Sequence, residues 1–209
     1  MRLILVGPPA SGKGTQAEVL KEKLSIAHIS TGDMFREAIK NKTELGQKAS
    51  DYIAKGHLVP DSLVIDMVLE RLEKDDAKEG FLLDGFPRTA AQAEALEEAL
   101  NAAEVDIDAV VFVDVPDEVV FDRMTGRRLD PETGKIYAMS YNPPPAEIAD
   151  RVIQRPDDNP DAVKVRLEKY HAETEPVTEF YGEKGLVKKI DGQQKPEKVT
   201  ADILEALGK

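Results

Sequence analysis

Gly7-Pro8-Pro9-Ala10-Ser11-Gly12-Lys13-Gly14-Thr15 is the stretch on which the fold turns. It follows the apolar run Leu3-Ile4-Leu5-Val6 and precedes Gln16 to Leu24, which reads as a helix. A buried strand, a Gly-rich loop ending in Gly-Lys and a helix N-terminus together make a cradle for phosphate. Gly7 and Gly12 remove side chains where the backbone must wrap an anion. The loop N–H groups and the helix dipole face that anion, and Lys13 adds a point charge. A flexible Gly/Pro turn is the plain alternative, and the agreement of loop, strand and helix speaks against it. The spacing Gly7-x4-Gly12-Lys13 fits the general pattern. Gly14, however, stands where Ser or Thr is usual, and Thr15 comes one residue later.

Working outward, 209 residues suffice for one sizeable domain or a core with insertions. Hydrophobic content of 41% and charged content of 33% describe a soluble globular chain. No apolar run approaches the roughly 20 residues needed to cross a bilayer, and Met1-Arg2 leads straight into a strand rather than a signal peptide. With no cysteine, disulfides and cysteine-ligated zinc are excluded. The expected location is the cytoplasm, or the plastid stroma as a mature chain. A net charge of −12 argues against nucleic acid and anionic membrane as partners, and it makes the arginines informative. Seven of ten (Arg36, Arg88, Arg123, Arg127, Arg128, Arg155, Arg166) lie in segments with other functional signals, while Arg71 and Arg151 read as solvated helix charges.

Apolar runs alternate with amphipathic stretches. Candidate strands are 3–6, 26–29, 81–84, 110–115 and 186–190, short continuous runs that suit a parallel sheet covered on both faces. Asp61 is the expected N-cap of a helix over 62–74, Thr89 caps 90–101, and Pro116 opens 117–125. Asp158 or Asn159 opens a helix through Tyr170. The pattern is α/β, with right-handed crossovers. Two stretches break the rhythm. Residues 30–59 hold two short helices, and 126–158 is rich in turns, poor in aliphatic residues and too long for an ordinary connection, as a functional lid is. Residues 1–29, 60–125 and 159–209 make up the core.

Beyond the loop, four further segments recur in order: Ser30-Thr31-Gly32-Asp33-Met34-Phe35-Arg36; Gly80-Phe81-Leu82-Leu83-Asp84-Gly85-Phe86-Pro87-Arg88-Thr89, with Gln92 in register; Asp122-Arg123-x-x-Gly126-Arg127-Arg128; and Arg155-x-Asp157-Asp158 with Arg166. With Gly-Lys-Gly-Thr in the loop, the chain resembles the adenylate kinase family over nearly its whole length. That resemblance implies a P-loop fold with a five-stranded parallel sheet and a monomer. It also implies reversible, Mg²⁺-dependent transfer of the ATP γ-phosphoryl group to AMP, giving two ADP.

The physical reading of the same residues agrees. Asp84 ends an apolar strand at the carboxyl edge of the sheet, where α/β proteins bind ligands, and its carboxylate with the Thr15 hydroxyl suits Mg²⁺ held partly through water. Lys13, Arg88, Arg123, Arg155 and Arg166 are the candidate catalytic groups, because phosphoryl transfer depends on positioning and on cations around the transferring group. By resemblance, ATP is met by Ala10, Ser11, Gly12, Lys13, Gly14, Thr15, Arg123, Arg127, Ile136, Tyr137 and Gln194. AMP is met by Thr31, Arg36, His57, Leu58, Val59, Gly85, Phe86, Pro87, Arg88, Gln92, Arg155 and Arg166. His28 reads as structural and His171 as a helix-face residue. Ala10 replaces a usual Gly and calls for a negative φ. The lid is shorter than the common long form and lacks four metal ligands, so no structural zinc is expected. The alternatives are a UMP/CMP kinase, against which Thr31 and Gln92 speak, and a P-loop switch, which would lack a second Arg-rich anion site.

Overall fold

The computed structural model describes residues 1–140 and 142–209. In chain order its strands are β1 (Arg2–Val6), β2 (Ala27–Ser30), β3 (Phe81–Asp84), β4 (Ala109–Asp114), β5 (Arg127–Leu129), β6 (Ile136–Ala138) and β7 (Val187–Asp191). Five of them form one parallel sheet in the order β2-β3-β1-β4-β7. The helices are α1 (Lys13–Leu24), α2 (Thr31–Lys40), α3 (Glu44–Ala54), α4 (Asp61–Leu72), α5 (Asp75–Lys78), α6 (Ala90–Ala102), α7 (Asp117–Thr125), α8 (Pro160–Lys169), α9 (Glu175–Gly182) and α10 (Pro196–Ala206). The α/β class and the five parallel strands are those expected, with strand ends displaced by one residue. Among the described residues no helix is long and apolar enough to cross a membrane.

The continuous apolar runs have a direct cause. Alternate residues of one strand feed opposite faces of the sheet. Ile4, Leu83 and Val110 enter the cluster shared with Val68 of α4, Leu96 of α6 and Val177 of α9. Leu3, Leu5, Leu82 and Val111 enter the one shared with Ala17 and Leu20 of α1 and Ile203 of α10. Each such side chain, fully buried, contributes about 1.5–3 kcal/mol, so a polar residue on either face would be costly. Gln16 shows the exception's terms: it is buried, and its amide is met by Thr200 Oγ1 at 2.7 Å and the Pro196 carbonyl at 3.0 Å.

Several local expectations need correction. Asp61 is not an N-cap: Pro60 holds that position, and Asp61 is the first helical residue, its side chain turned to α6. Thr89 does cap α6, accepting from Gln92 N–H. Asn159, not Asp158, caps α8. The helix expected to run through Tyr170 ends at Lys169 and widens into a π turn, Tyr170–Thr174, before α9. Pro176 cannot donate to the carbonyl four residues back and its ring crowds that turn, so a regular helix could not continue.

The 126–158 stretch carries an unexpected antiparallel hairpin, β5 with β6, tied down by a bridge between Leu129 and Ile153. Arg151 is no solvated helix charge. Its guanidinium grips Asp130 through Nε (3.0 Å) and Nη2 (2.6 Å). Arg71 is likewise bidentate to Asp76, at 2.8 and 2.6 Å.

Candidate active site

Sheet register brings the motifs together. Asp84 of β3 is level with Leu5 of β1 on one side and Ser30 of β2 on the other. The loop after β1, the start of α2 and the Gly85–Arg88 turn therefore leave the sheet side by side at its carboxyl edge. On the far side Asp114 pairs with Asp191, which sets the Gly192 carbonyl where Arg123 Nη2 donates to it at 3.0 Å.

The loop after β1 works largely through backbone. Gly7 has φ 143 and passes so close to β4 that a Cβ there would lie 2.4 Å from the Val113 carbonyl oxygen. Gly12, at the N-cap of α1, offers no side-chain acceptor, and the first turn holds no acidic residue. The helix start is thus open to an anion, whereas the starts of α2, α3 and α6 are capped by Ser30, Thr43 and Thr89. Ala10 departs from expectation: its φ is +54, in the left-handed region. The turn in which Ser11 N–H reaches the Pro8 carbonyl requires it, at a cost of about 1–2 kcal/mol for a residue with a Cβ. Its methyl packs against the Val115, Val120 and Met124 cluster, which offsets part of that cost.

Lys13 folds over the loop and donates from Nζ to the carbonyls of Gly7 (2.9 Å) and Pro8 (2.7 Å) and to Ser11 Oγ (3.3 Å). Burial pushes its pKa down to about 8; Asp84 acts the other way, and Arg88, Arg166 and Arg127 add to the depression. The arginines share that condition. Arg88 donates from Nε to the Gly85 carbonyl at 2.7 Å, and burial, then Arg36, hold it below its usual range against Asp84. Arg155 is lowered to about 10 by burial and by Arg36 and Arg127, and its Nε is buried with no partner. Arg166 pairs with Asp157 yet still falls to about 10, burial outweighing the carboxylate. Gly85, at φ 80, makes room for this crowd: a Cβ there would lie 2.8 Å from Arg88 Nη2 and 2.9 Å from Thr31 Oγ1.

These groups line one cavity of about 690 Å³. The structure brings to its wall Ala10, Gly12, Lys13, Gly14, Thr15, Thr31, Arg36, His57, Leu58, Val59, Asp84, Gly85, Pro87, Arg88, Gln92, Arg123, Arg127, Ile136, Tyr137, Arg155 and Arg166. Three expected residues are not on that wall. Ser11 is buried behind the loop, and the Phe86 side chain, 1% exposed, belongs to the core. Gln194 spends its amide on Asp202 Oδ2 (2.9 Å) and the Asp191 carbonyl (3.2 Å). Arg127 does not share a helical face with Arg123. It opens β5, where Asp158 holds it from Nε at 2.9 Å and from Nη2.

Sequence reasoning missed other groups here. His28, read as structural, lines the cavity, with Nδ1 3.2 Å from Glu18 Oε1 and Nε2 3.7 Å from Asp84 Oδ2. Burial alone would lower its pKa, but the carboxylates of Asp84 and Glu18 outweigh that and raise it. Thr174, in the π turn, donates from Oγ1 to the Arg88 carbonyl at 2.8 Å. Only the pairing across strands could have revealed His28, and only the extra residue of the π turn aims Thr174 at Arg88.

The family model described as adenylate kinase matches residues 5–186. The chain belongs to the adenylate kinase family. The adenylate kinase of Caldicellulosiruptor bescii is 51% identical over 213 aligned residues, covering 100% of this chain and 99% of its own. That of Clostridium acetobutylicum is also 51% identical, with the same coverage. That of Shouchella clausii is 51% identical over 208, covering 97% and 96%. As a family member the chain is a phosphotransferase acting between ATP and AMP.

Proposed function

We propose that the chain performs this transfer by dividing this cavity between two nucleotides. ATP lies along the loop after β1, met by Lys13, the open start of α1, Arg123, Arg127, Ile136 and Tyr137. AMP lies across the starts of α2 and the Gly85–Arg88 turn, met by Thr31, Arg36, the 57–59 segment, Arg88, Gln92, Arg155 and Arg166. One observation carries the reading. In a chain of net charge −12, Lys13, Arg88, Arg155 and Arg166 converge on one cavity, and all are depressed by burial. Cations gathered at that expense await anions.

Transfer then needs little else. An AMP phosphate oxygen attacks the ATP γ-phosphorus, the bond to the β-phosphate oxygen breaks, and both products are ADP. The acceptor oxygen is already anionic, so no proton must move. The arginines hold both phosphates in line and meet the charge spread over the equatorial oxygens.

The residues fit Mg²⁺. Asp84 Oδ2 lies 3.7 Å from where a Gly14 side chain would begin, Asp84 and Thr15 both line the cavity, and these hard oxygen donors suit that ion. Among the described residues no three His, Cys, Asp or Glu cluster as a metal site, so water and phosphate oxygens would complete the shell. The ion supplies charge neutralisation on the phosphates. We further infer that 30–59 and 126–158 move as flaps on the core formed by 1–29, 60–125 and 159–209, excluding water when both nucleotides are bound. We also infer that the chain acts as a cytoplasmic monomer. A coupled assay of ADP formation with AMP, CMP, UMP and GMP, with and without Mg²⁺, tests the assignment. Activity with AMP that requires Mg²⁺ is expected, and preference for a pyrimidine nucleotide would overturn it.

A further inference from the structure

Gln92 is 1% exposed and lines the cavity, but its amide has no freedom of orientation. Oε1 accepts from the Arg88 backbone N–H at 2.8 Å. Nε2 donates to Asp61 Oδ1 at 2.7 Å. The other Asp61 oxygen accepts from Thr89 Oγ1 at 2.9 Å, and the same hydroxyl accepts the Gln92 backbone N–H at 3.2 Å. Turning the amide over would set its oxygen against a carboxylate and its NH₂ against an N–H, two repulsions in place of two hydrogen bonds. A carboxylate only accepts, so it permits one orientation. An asparagine at the same place could meet the amide in either orientation, leaving the Arg88 N–H alone to oppose the flip.

We propose that Asp61, which does not itself line the cavity, is a positioning residue that sets base specificity through Gln92. The proposal rests on the reading that Gln92 meets the AMP base. Each end of the locked amide keeps one unused valence, a lone pair on Oε1 and an N–H on Nε2. That pair matches an edge that offers an amino N–H beside a bare ring nitrogen, as adenine does. Hypoxanthine and guanine present the inverse, a carbonyl oxygen beside a ring N–H, and each contact becomes a clash of like groups. Such mismatched polar contacts in a dry pocket are far more discriminating than a loss of shape. Asp61 therefore acts two steps from the base, and its carboxylate together with the Arg88 N–H makes the discrimination one-sided.

The test compares kcat/KM for AMP and for IMP, which inverts the hydrogen-bonding edge without adding a second amino group. In Asp61→Asn the AMP:IMP ratio is expected to fall at least about ten-fold, the equivalent of about 1.4 kcal/mol, with the KM for ATP within about two-fold of wild type. An unchanged ratio overturns the proposal, whether or not the KM for AMP rises, because a rise alone marks Asp61 as mere support for the pocket wall. Gln92→Ala separates the two layers. If the ratio collapses there but survives in Asp61→Asn, the base contact stands and the role of Asp61 falls. If it survives in Gln92→Ala, the base contact itself is wrong. Should Asp61→Asn fail to fold, Asp61→Ala leaves only the Arg88 N–H to orient the amide. A smaller fall in the same direction is then expected, and no fall refutes the proposal.

Discussion

Arg151 and Arg155 stand four residues apart in opposite electrostatic states. Arg151 grips the buried Asp130 with two nitrogens and reaches Glu132 with a third, and the Asp130 carboxylate raises its pKa. Arg155 has a buried Nε with no partner and is driven down to about 10 by burial and by neighbouring cations. The first pairing organises the 126–158 stretch, where aliphatic residues are too few to do so: Asp130 also accepts from Glu132 N–H and Thr133 Oγ1, closing the turn between β5 and β6. The second, on the function proposed above, is a cost the fold sustains for a ligand. Arg151 is spent on its own carboxylates; in the cavity Arg127 and Arg166 also hold Asp158 and Asp157, and it is Arg155 whose Nε lies buried without a partner.

That contrast can be broken at both ends. Arg88→Ala or Lys13→Met is expected to cut kcat about 10³-fold while leaving circular dichroism near wild type; near-normal turnover in either would remove the cavity's claim to the chemistry. Arg36→Ala is expected to raise the KM for AMP about ten-fold and that for ATP far less, and the reverse pattern would contradict the partition of the nucleotides. Lys13, at about 8 in the free protein, should be driven back to its charged form by bound phosphate. Binding of ATP should then take up protons near pH 8, visible by calorimetry in buffers of different ionisation heat, and the KM for ATP should climb above that pH. Absence of proton uptake would place Lys13 away from the anion.

Arg151→Ala probes the other end, with a smaller effect confined to stability. Asp130 is held down to about 2, chiefly by the Arg151 hydrogen bond, below an ordinary aspartate near ~4. A depressed carboxyl stabilises the fold above its unfolded pKa and ceases to do so as pH falls through the folded one. Melting of the wild type should therefore drop between about pH 4 and pH 2, and Arg151→Ala should flatten that limb with kcat at neutral pH little changed. An identical acid limb in the variant would show the pair to be idle. Smallest of all, Ala10→Gly should relieve about 1 kcal/mol of left-handed strain, read as a slightly higher melting temperature.

Much of this was legible in the sequence because it is local. Leu3–Val6 and Phe81–Leu83 are apolar on both faces, and only a doubly covered parallel strand asks for that. The loop after β1 and the Asp84–Arg88 turn are backbone devices whose glycines and charges lie in one short run. The rest was hidden for identifiable reasons. Asp61 has the form of an N-cap, but its carboxylate is claimed by Thr89 and Gln92 on a helix far along the chain. Arg127–Leu129 has no strand-like composition and becomes β5 only because β6 and Ile153 flank it. Ala10 was expected to avoid the conformation that its loop imposes.

The buried, unpartnered Nε of Arg155 is the point on which the account rests, and the melting temperature of ligand-free Arg155→Met tests it most directly. If the guanidinium is held there for phosphate, removing a buried and repelled charge should relieve the empty protein by about 1 kcal/mol, or roughly 2–4 °C for a chain of this size, in a variant whose kcat has collapsed. A lower melting temperature with turnover retained would make Arg155 a structural residue and contradict the account.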